Sequence, residues 1–183
     1  MKGVWFCVMK KKIDSAAKKL RNLCFGPERF IHYEIGFNYR MTNMQAALGV
    51  AQLEKIEATI EKKKWIGSLY THLLGDIDTI NLPIASTDYC DNIYWVYAIT
   101  IKEDFKKNGH RIIKELSEHG IGARPFFYPM HKQPVFRAMG LFDDEYLPNS
   151  EKLYERGFYI PSGLALTESQ ACQVSNVLHS LLG

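Results

Sequence analysis

The sequence predicts an α+β fold in which a long helix leads into a small domain with an antiparallel sheet. Residues 44–74 place apolar side chains at roughly helical spacing, with glutamates and lysines on the other side. Residues 94–101 are almost all aromatic or β-branched, which is typical of a strand. From residue 80 to 183, short strand and helix patterns follow one another, and this mixture indicates a compact α+β domain.

Composition and charge argue against several classes of protein. The 183 residues are 46% hydrophobic and 23% charged, as expected of one globular domain, or of one domain with part of another. The net charge of +3 gives no electrostatic reason to expect a nucleic-acid partner. No apolar run approaches the roughly 18 residues of a membrane span. The lysine runs at 10–12 and 62–64 are interpreted as solvated faces.

The four cysteines are scattered along the chain, without a close pair and without the Cys/His spacing of a metal site. The sequence therefore predicts reduced thiols, a cytoplasmic location and no metal centre. Residues 1–9 are apolar, but the run is short and lacks a small-residue cleavage site. We do not interpret it as a signal peptide.

The first 43 residues predict a short strand, a helix and a loop. Residues 4–8 have strand composition, and residues 13–23 place their apolar side chains on one helical face. Asp14 lies in the first turn of that helix, where a carboxylate is favourable, and Gly26-Pro27 ends it. Residues 28–43 are too rich in aromatic and charged side chains for a linker, so we expect this loop to pack on or bind something.

The end of that loop, residues 36–43, reads Gly-Phe-Asn-Tyr-Arg-Met-Thr-Asn. Either Thr42 or Asn43 is suited to cap the helix that follows. Arg40 stands just before the helix N-terminus, an arrangement that can bind an anion. The alternative is an ordinary capped loop with a solvated arginine.

The helix over residues 44–74 is longer than usual and is interpreted as a spine, closed by Gly75-Asp76. Pro125 predicts that one of the later strands is irregular or lies at the sheet edge. Thr167 and Gln170 have the spacing of a capping box. The patterns predict strands at 80–83, 94–101, 121–127 and 158–161, and helices at 104–119, 134–139, 149–156 and 167–182.

Three stretches carry a resemblance to a known family: GFNYRMTNMQAALGVAQLEKIE, GIGARPFFYPMHKQPVF and GFYIPSGLALTESQ. They resemble the C-terminal half of the DegT/StrS sugar-nucleotide aminotransferases, and within these the perosamine-synthase branch. The likeness covers about residues 13–183. It implies the C-terminal part of an aspartate-aminotransferase-like (fold type I) enzyme that uses pyridoxal 5'-phosphate. Residues 1–43 would then be a remnant of the large cofactor-binding domain, 44–75 the connecting helix and 76–183 the small domain.

The resemblance also implies a reaction and an assembly. An amino group would pass from glutamate to C4 of a GDP-linked 4-keto-6-deoxymannose, in a homodimer. Arg40 would contact the phosphate of the neighbouring subunit's cofactor, with Asn38 as a further polar contact. His131 would face the sugar substrate or be a structural histidine, and Arg124 would contact substrate or form a surface salt bridge.

One expected element has no match. The family carries its Schiff-base lysine just upstream of the matched region, but residues 1–6 match that segment poorly, and Lys2 is not a credible substitute. No catalytic residue is therefore assigned. We expect a truncated aminotransferase that is inactive alone and poorly soluble or obligately associated. The alternatives are a non-catalytic partner of a full-length or N-terminal aminotransferase chain, and a GDP-sugar binding module.

Overall fold

The computed structural model describes residues 10–28 and 30–183, which divide into two compact units at residue 56. The strand expected at residues 4–8 lies outside the described residues. The first unit contains helices α1 (Lys11–Arg21) and α2 (Asn43–Leu53). The second is formed by α3 (Ile56–Leu74), β1 (Ile80–Asn81), β2 (Tyr97–Ile101), α4 (Gly109–Glu118), β3 (Arg124–Pro125), a 3-10 turn (Met130–Lys132), α5 (Pro134–Ala138), α6 (Pro148–Arg156), β4 (Gly157–Ile160) and α7 (Glu168–Leu182).

The second unit is built on a four-stranded antiparallel sheet of order β1-β2-β4-β3. β2 and β4 form its centre, with Tyr97 opposite Ile160 and Ile99 opposite Phe158. β3 lies at the edge and contains Pro125, as the sequence predicted, because a proline cannot donate to a second neighbouring strand. The α+β class with a small antiparallel sheet is therefore confirmed.

The hydrophobic core lies between this sheet and three helices. Alternate residues of β2 are buried, which is the pattern of a strand with one face on a core. The helices that cover this face contribute side chains from α3, α4 and α7, among them Ile66, Tyr70, Leu74, Ile112, Leu116, Leu178 and Leu182. α7 begins at the predicted capping box, in which Thr167 Oγ1 accepts from the Gln170 amide and Gln170 Oε1 accepts from the Thr167 amide.

The single helix expected over residues 44–74 is two helices, α2 and α3, with a turn at Glu54 and Lys55. The Lys55 amide donates to the Gln52 carbonyl, three residues back, at 3.2 Å. This tighter bond interrupts the α-helical series. The apolar spacing continues across the turn, so the sequence pattern did not indicate the break.

Two other expectations were wrong in detail. The strand expected from residue 94 begins at Tyr97, because Tyr94 has a positive φ of 52° and its amide donates to Asn92 Oδ1 at 2.7 Å. The lysine run at 62–64 is not wholly a solvated face. Lys63 Nζ donates to the carbonyls of Trp95 at 2.9 Å and Ser162 at 2.5 Å, and partial burial lowers the pKa of this ammonium.

Across residues 10–28 and 30–183, none of the helices has the length and apolar character needed to cross a bilayer.

Candidate functional site

The segment that precedes α2 is held against the end of α1 by backbone hydrogen bonds. The Phe37 amide donates to the Leu20 carbonyl at 2.7 Å, and the Tyr39 amide to that of Arg21 at 3.0 Å. A Cβ on Gly36 would lie 2.4 Å from the Cys24 nitrogen, a distance that real Cβ atoms essentially never show. Glycine is therefore required at position 36, because the two backbones approach too closely for a side chain.

The structure brings Asn38 and Arg40 together, as two of the predicted site residues. Arg40 Nε donates to Asn38 Oδ1 at 3.3 Å, and both side chains are exposed. The rings of Phe37 and Tyr39 stack with centroids 5.3 Å apart and an angle of 7° between their planes. Within the described part of the chain, the guanidinium of Arg40 makes no other hydrogen bond or ion pair. Its terminal N–H groups are therefore free to contact a ligand.

Thr42, rather than Asn43, caps α2. Its Oγ1 accepts from the Gln45 amide at 3.3 Å, and Gln45 Oε1 accepts from the Thr42 amide at 3.0 Å. This capping box places the N-cap of α2 two residues after Arg40, and the helix begins at the next residue. The role of Gln45 was missed in the sequence, although Thr-x-x-Gln has the same spacing here as at residue 167.

His131 is buried, and a carboxylate holds it in place. Its Nε2 donates to Glu151 Oε1 at 2.9 Å, and its exposed fraction is 5%. Lys132 bonds to the other carboxylate oxygen. The hydrogen bond from His131, followed by that from Lys132, lowers the pKa of Glu151, so this carboxyl is ionised at neutral pH. Glu151 was not predicted, because it lies twenty residues from His131 in the sequence and only the fold joins them.

Arg124 lies on the edge strand β3, opposite Tyr159 of β4. Its side chain is exposed, and among the described residues it forms no hydrogen bond or ion pair. The salt bridge considered for it is therefore not found there. Neither a hydrogen bond nor an ion pair joins it to His131. The assignments of Arg40, Asn38, His131 and Arg124 to ligands remain predictions.

Comparison with known proteins identifies the family. Residues 6–179 match the DegT/DnrJ/EryC1/StrS aminotransferase family. The chain belongs to this family. It is 32% identical over 170 residues to the putative pyridoxal phosphate-dependent aminotransferase EpsN of Bacillus subtilis, covering 90% of this chain and 43% of EpsN. It is also 32% identical over 174 residues to a GDP-perosamine synthase of Caulobacter vibrioides, covering 92% of this chain and 46% of the relative.

Solved structures of sugar aminotransferases share the fold of this DegT-family chain. Helicobacter pylori PseC, an aminotransferase involved in the biosynthesis of pseudoaminic acid, superposes with a TM-score of 0.84 at 19% identity. The match covers 94% of this chain and 47% of PseC. The predicted aspartate-aminotransferase-like fold is thus confirmed. The chain spans less than half of the length of each of these relatives.

The family implies pyridoxal 5'-phosphate as the cofactor, and residues 38–42 fit its phosphate group. The exposed guanidinium of Arg40 offers paired N–H donors, the geometry that suits phosphate oxygens. The N-terminus of α2 adds the positive end of a helix dipole just beyond it. Two lysines of α1 are engaged in ion pairs, Lys18 with Asp14 at 2.7 Å and Lys19 with Glu34 at 2.6 Å. Arg40 and the N-terminus of α2 thus fit the phosphate end of the cofactor.

Proposed function

We propose that this chain provides the C-terminal half of a pyridoxal-phosphate-dependent sugar aminotransferase that makes GDP-perosamine. The amino group of glutamate would be transferred to C4 of GDP-4-keto-6-deoxymannose, for use in a surface polysaccharide such as O-antigen. The observation that carries the proposal is the 32% identity to the Caulobacter vibrioides GDP-perosamine synthase over 92% of the chain. In this scheme residues 1–43 belong to the large domain, 44–75 connect, and 76–183 form the small domain.

Arg40 and Asn38 would hold the phosphate of the cofactor. When bound, the cofactor supplies an electron sink for the transfer of the amino group. Arg40 contributes charge and a planar pair of donors, while its bond to Asn38 Oδ1 restricts the guanidinium. The capping box of Thr42 fixes the backbone that follows.

His131 and Arg124 would contact the sugar nucleotide. Because Nε2 of His131 carries the proton donated to Glu151, the neutral ring has Nδ1 as its acceptor. Arg124 is exposed on the edge strand and can meet a diphosphate. Both side chains would bind and orient the substrate.

Association with another aminotransferase chain would complete the site. This chain would pair with a second copy or with an aminotransferase chain of different length, and Arg40 would act across the subunit boundary. Exposed apolar side chains of the first unit support such an interface, since large apolar patches mark interaction surfaces. They include Tyr33 (71% exposed), Ile35 (85%), Met44 (79%) and Leu48 (66%).

The reaction would take place in the cytoplasm, as for a protein with reduced thiols. Cys24, Cys90 and Cys172 are free, and Cys24 is buried. Free thiols support a reducing compartment.

Turnover measured with and without a complementing chain tests the proposal. The purified chain is given pyridoxal 5'-phosphate, glutamate and GDP-4-keto-6-deoxymannose, and 2-oxoglutarate is measured. We expect no turnover by the chain alone and measurable turnover when it is co-expressed with the N-terminal half of the Caulobacter vibrioides relative. Arg40→Ala should reduce that turnover by about tenfold or more, and Arg40→Lys by less, because lysine keeps the charge but not the donor fork.

Turnover by the chain alone would contradict the need for a complementing chain. If the mixed sample showed no association and no turnover, that result would contradict the enzymatic role. If GDP-sugar binding alone remained in calorimetry, the chain would be a binding module. Equal turnover with a UDP-linked 4-keto sugar would contradict the assignment of the GDP substrate.

A further inference from the structure

A cavity of about 670 Å³ lies in the second unit, outside every residue assigned above. Its walls come from β1 and β2, the loop that follows β2, and α6. A volume of this size is within the range of small-molecule sites, roughly 300–1,000 Å³. Neither His131 nor Arg124 lines it.

Hydrogen bonds from the cavity's own side chains fix its walls. The guanidinium of Arg156, on α6, donates to the carbonyls of Lys102 at 2.7 Å, Glu103 at 3.1 Å and Phe105 at 3.3 Å. These three bonds join the helix to the loop after β2. On the sheet side, Asn81 Nδ2 donates to Thr100 Oγ1 at 3.3 Å. The cavity is therefore held by cross-links between elements and needs no ligand to form.

The charges of the lining favour an anion. Lys152 and Glu103 form an ion pair and offset each other. The charge of Arg156 meets only carbonyl oxygens, and the ammonium of Lys102 has no partner among the described residues. Asp104 is the one remaining carboxylate of the lining. The lining therefore contains three cations and two carboxylates. A single negative charge on a ligand would balance its net positive charge.

The apolar part of the lining favours a ligand with an apolar body. Most of the lining surface is apolar, and Leu153 of α6, 48% exposed, is an uncovered aliphatic side chain in it. Burying such surface against a ligand is favourable. An amphipathic occupant would contact Leu153 and the lysine stems with its body and the cations with its charged end.

We propose that this cavity binds a small monocarboxylate with an apolar body. The site is independent of the aminotransferase reaction, and it can be tested whether or not the chain turns over substrate.

2-Naphthoate is a suitable probe, because it combines a fused aromatic body with one carboxylate. Titrations of the full chain are followed by amide chemical shifts, with 2-naphthalenemethanol as the neutral control. We expect saturable shifts at residues 100–104 and 149–156, and an affinity for naphthoate about tenfold higher than for the alcohol, since only naphthoate gains the charge interaction.

Two pairs of variants localise the binding. Leu153→Asn should weaken it about tenfold, because it removes the aliphatic contact, while Leu164→Asn, at a leucine of similar exposure (47%) outside the cavity, should not. Lys102→Gln should weaken it about threefold, as expected for one exposed charge, and Lys114→Gln, on α4, should leave it unchanged. Absence of saturable shifts at the cavity, equal affinity for the alcohol, or an unaltered affinity in Leu153→Asn would each overturn the proposal.

Discussion

The two units of the chain differ in how their apolar residues are used. In the second, large side chains such as Tyr70, Leu116 and Leu178 are fully buried. In the described part of the first, Cys24 is the one buried hydrophobic residue, and neither α1 nor α2 buries any residue.

This difference shows that the apolar residues of a helix are not necessarily buried. α2 carries apolar residues as α7 does, but α7 covers a sheet, while Met44 and Leu48 of α2 remain exposed. A packed sheet supplies most of the stability of the second unit, since apolar burial is the main favourable contribution to folding. The stability of the first unit depends on local hydrogen bonds and on any contact that covers its exposed apolar side chains.

Truncation of a core leucine should have the largest effect. Leu178→Ala is expected to lower the free energy of unfolding by about 2–5 kcal/mol, because it leaves a cavity in the core. Leu48→Ala is the matched control and should change it by less than about 0.5 kcal/mol, as at an exposed site. Urea denaturation measures both. An equal loss in the two variants would mean that Leu48 is buried in solution, and the contrast between the units would then be wrong.

A methyl group at Gly36 should disturb the first unit alone. Its Cβ would meet the backbone of Leu23 and Cys24 at 2.4 Å, so Gly36→Ala is expected to cost about 1–3 kcal/mol locally. Hydrogen exchange should accelerate at the amides of Leu23 and Tyr39, and not in the core of the second unit. Gly122→Ala is the control, since nothing lies within 4 Å of its Cβ. Unchanged exchange at Leu23 in Gly36→Ala would contradict the close approach.

Much of the second unit was predictable, because its elements follow local rules. Aromatic and β-branched composition indicated β2, Pro125 indicated the edge strand, and the Thr167–Gln170 spacing indicated the start of α7. The turn at Glu54 was not predictable, since the apolar spacing continues through it.

The candidate site was predicted only where its residues are close in sequence. Asn38 and Arg40 are two positions apart, and the structure joins them. The partner of His131 comes from α6, so no local pattern identified Glu151. Lys63 was misinterpreted for the same reason, because the carbonyls that accept its hydrogen bonds lie in distant loops.

The free energy of unfolding of the second unit should depend on pH. Glu115 of α4 is 9% exposed and accepts from Lys107 Nζ at 2.9 Å and Arg111 Nε at 2.7 Å. The hydrogen bond from Lys107, followed by that from Arg111, lowers the pKa of Glu115 below its ordinary 4.5. The carboxylate therefore contributes stability that is complete above the unfolded pKa and is lost as the pH falls through the lower folded pKa.

Glu115→Gln tests this dependence. We expect a loss of about 1 kcal/mol of unfolding free energy near pH 7, because one charged acceptor is removed, and a smaller loss near pH 3. Urea denaturation at the two pH values gives the difference. Glu118→Gln, an exposed position on the same helix, is the control. A loss that did not shrink in acid would show that packing, rather than charge, is the contribution of Glu115.

The smallest expected effects come from two identical helix caps, one in each unit. Thr42 with Gln45 and Thr167 with Gln170 form capping boxes with the same distances, 3.3 and 3.0 Å. Thr167→Ala should lower the free energy of global unfolding by about 0.5–1 kcal/mol. The lost cap lowers the free energy of global unfolding because α7 is part of the core.

Thr42→Ala likewise removes the Oγ1 acceptor of its cap but should leave the global transition unchanged, since α2 buries no residue. Its effect should instead be faster hydrogen exchange at the Gln45 and Ala46 amides, because a helix without tertiary packing frays when its cap is lost. A complementing chain that covers α2 would couple this cap to stability, and Thr42→Ala would then weaken the assembly. An equal loss of global stability in the two variants of the isolated chain would show that α2 unfolds together with the core.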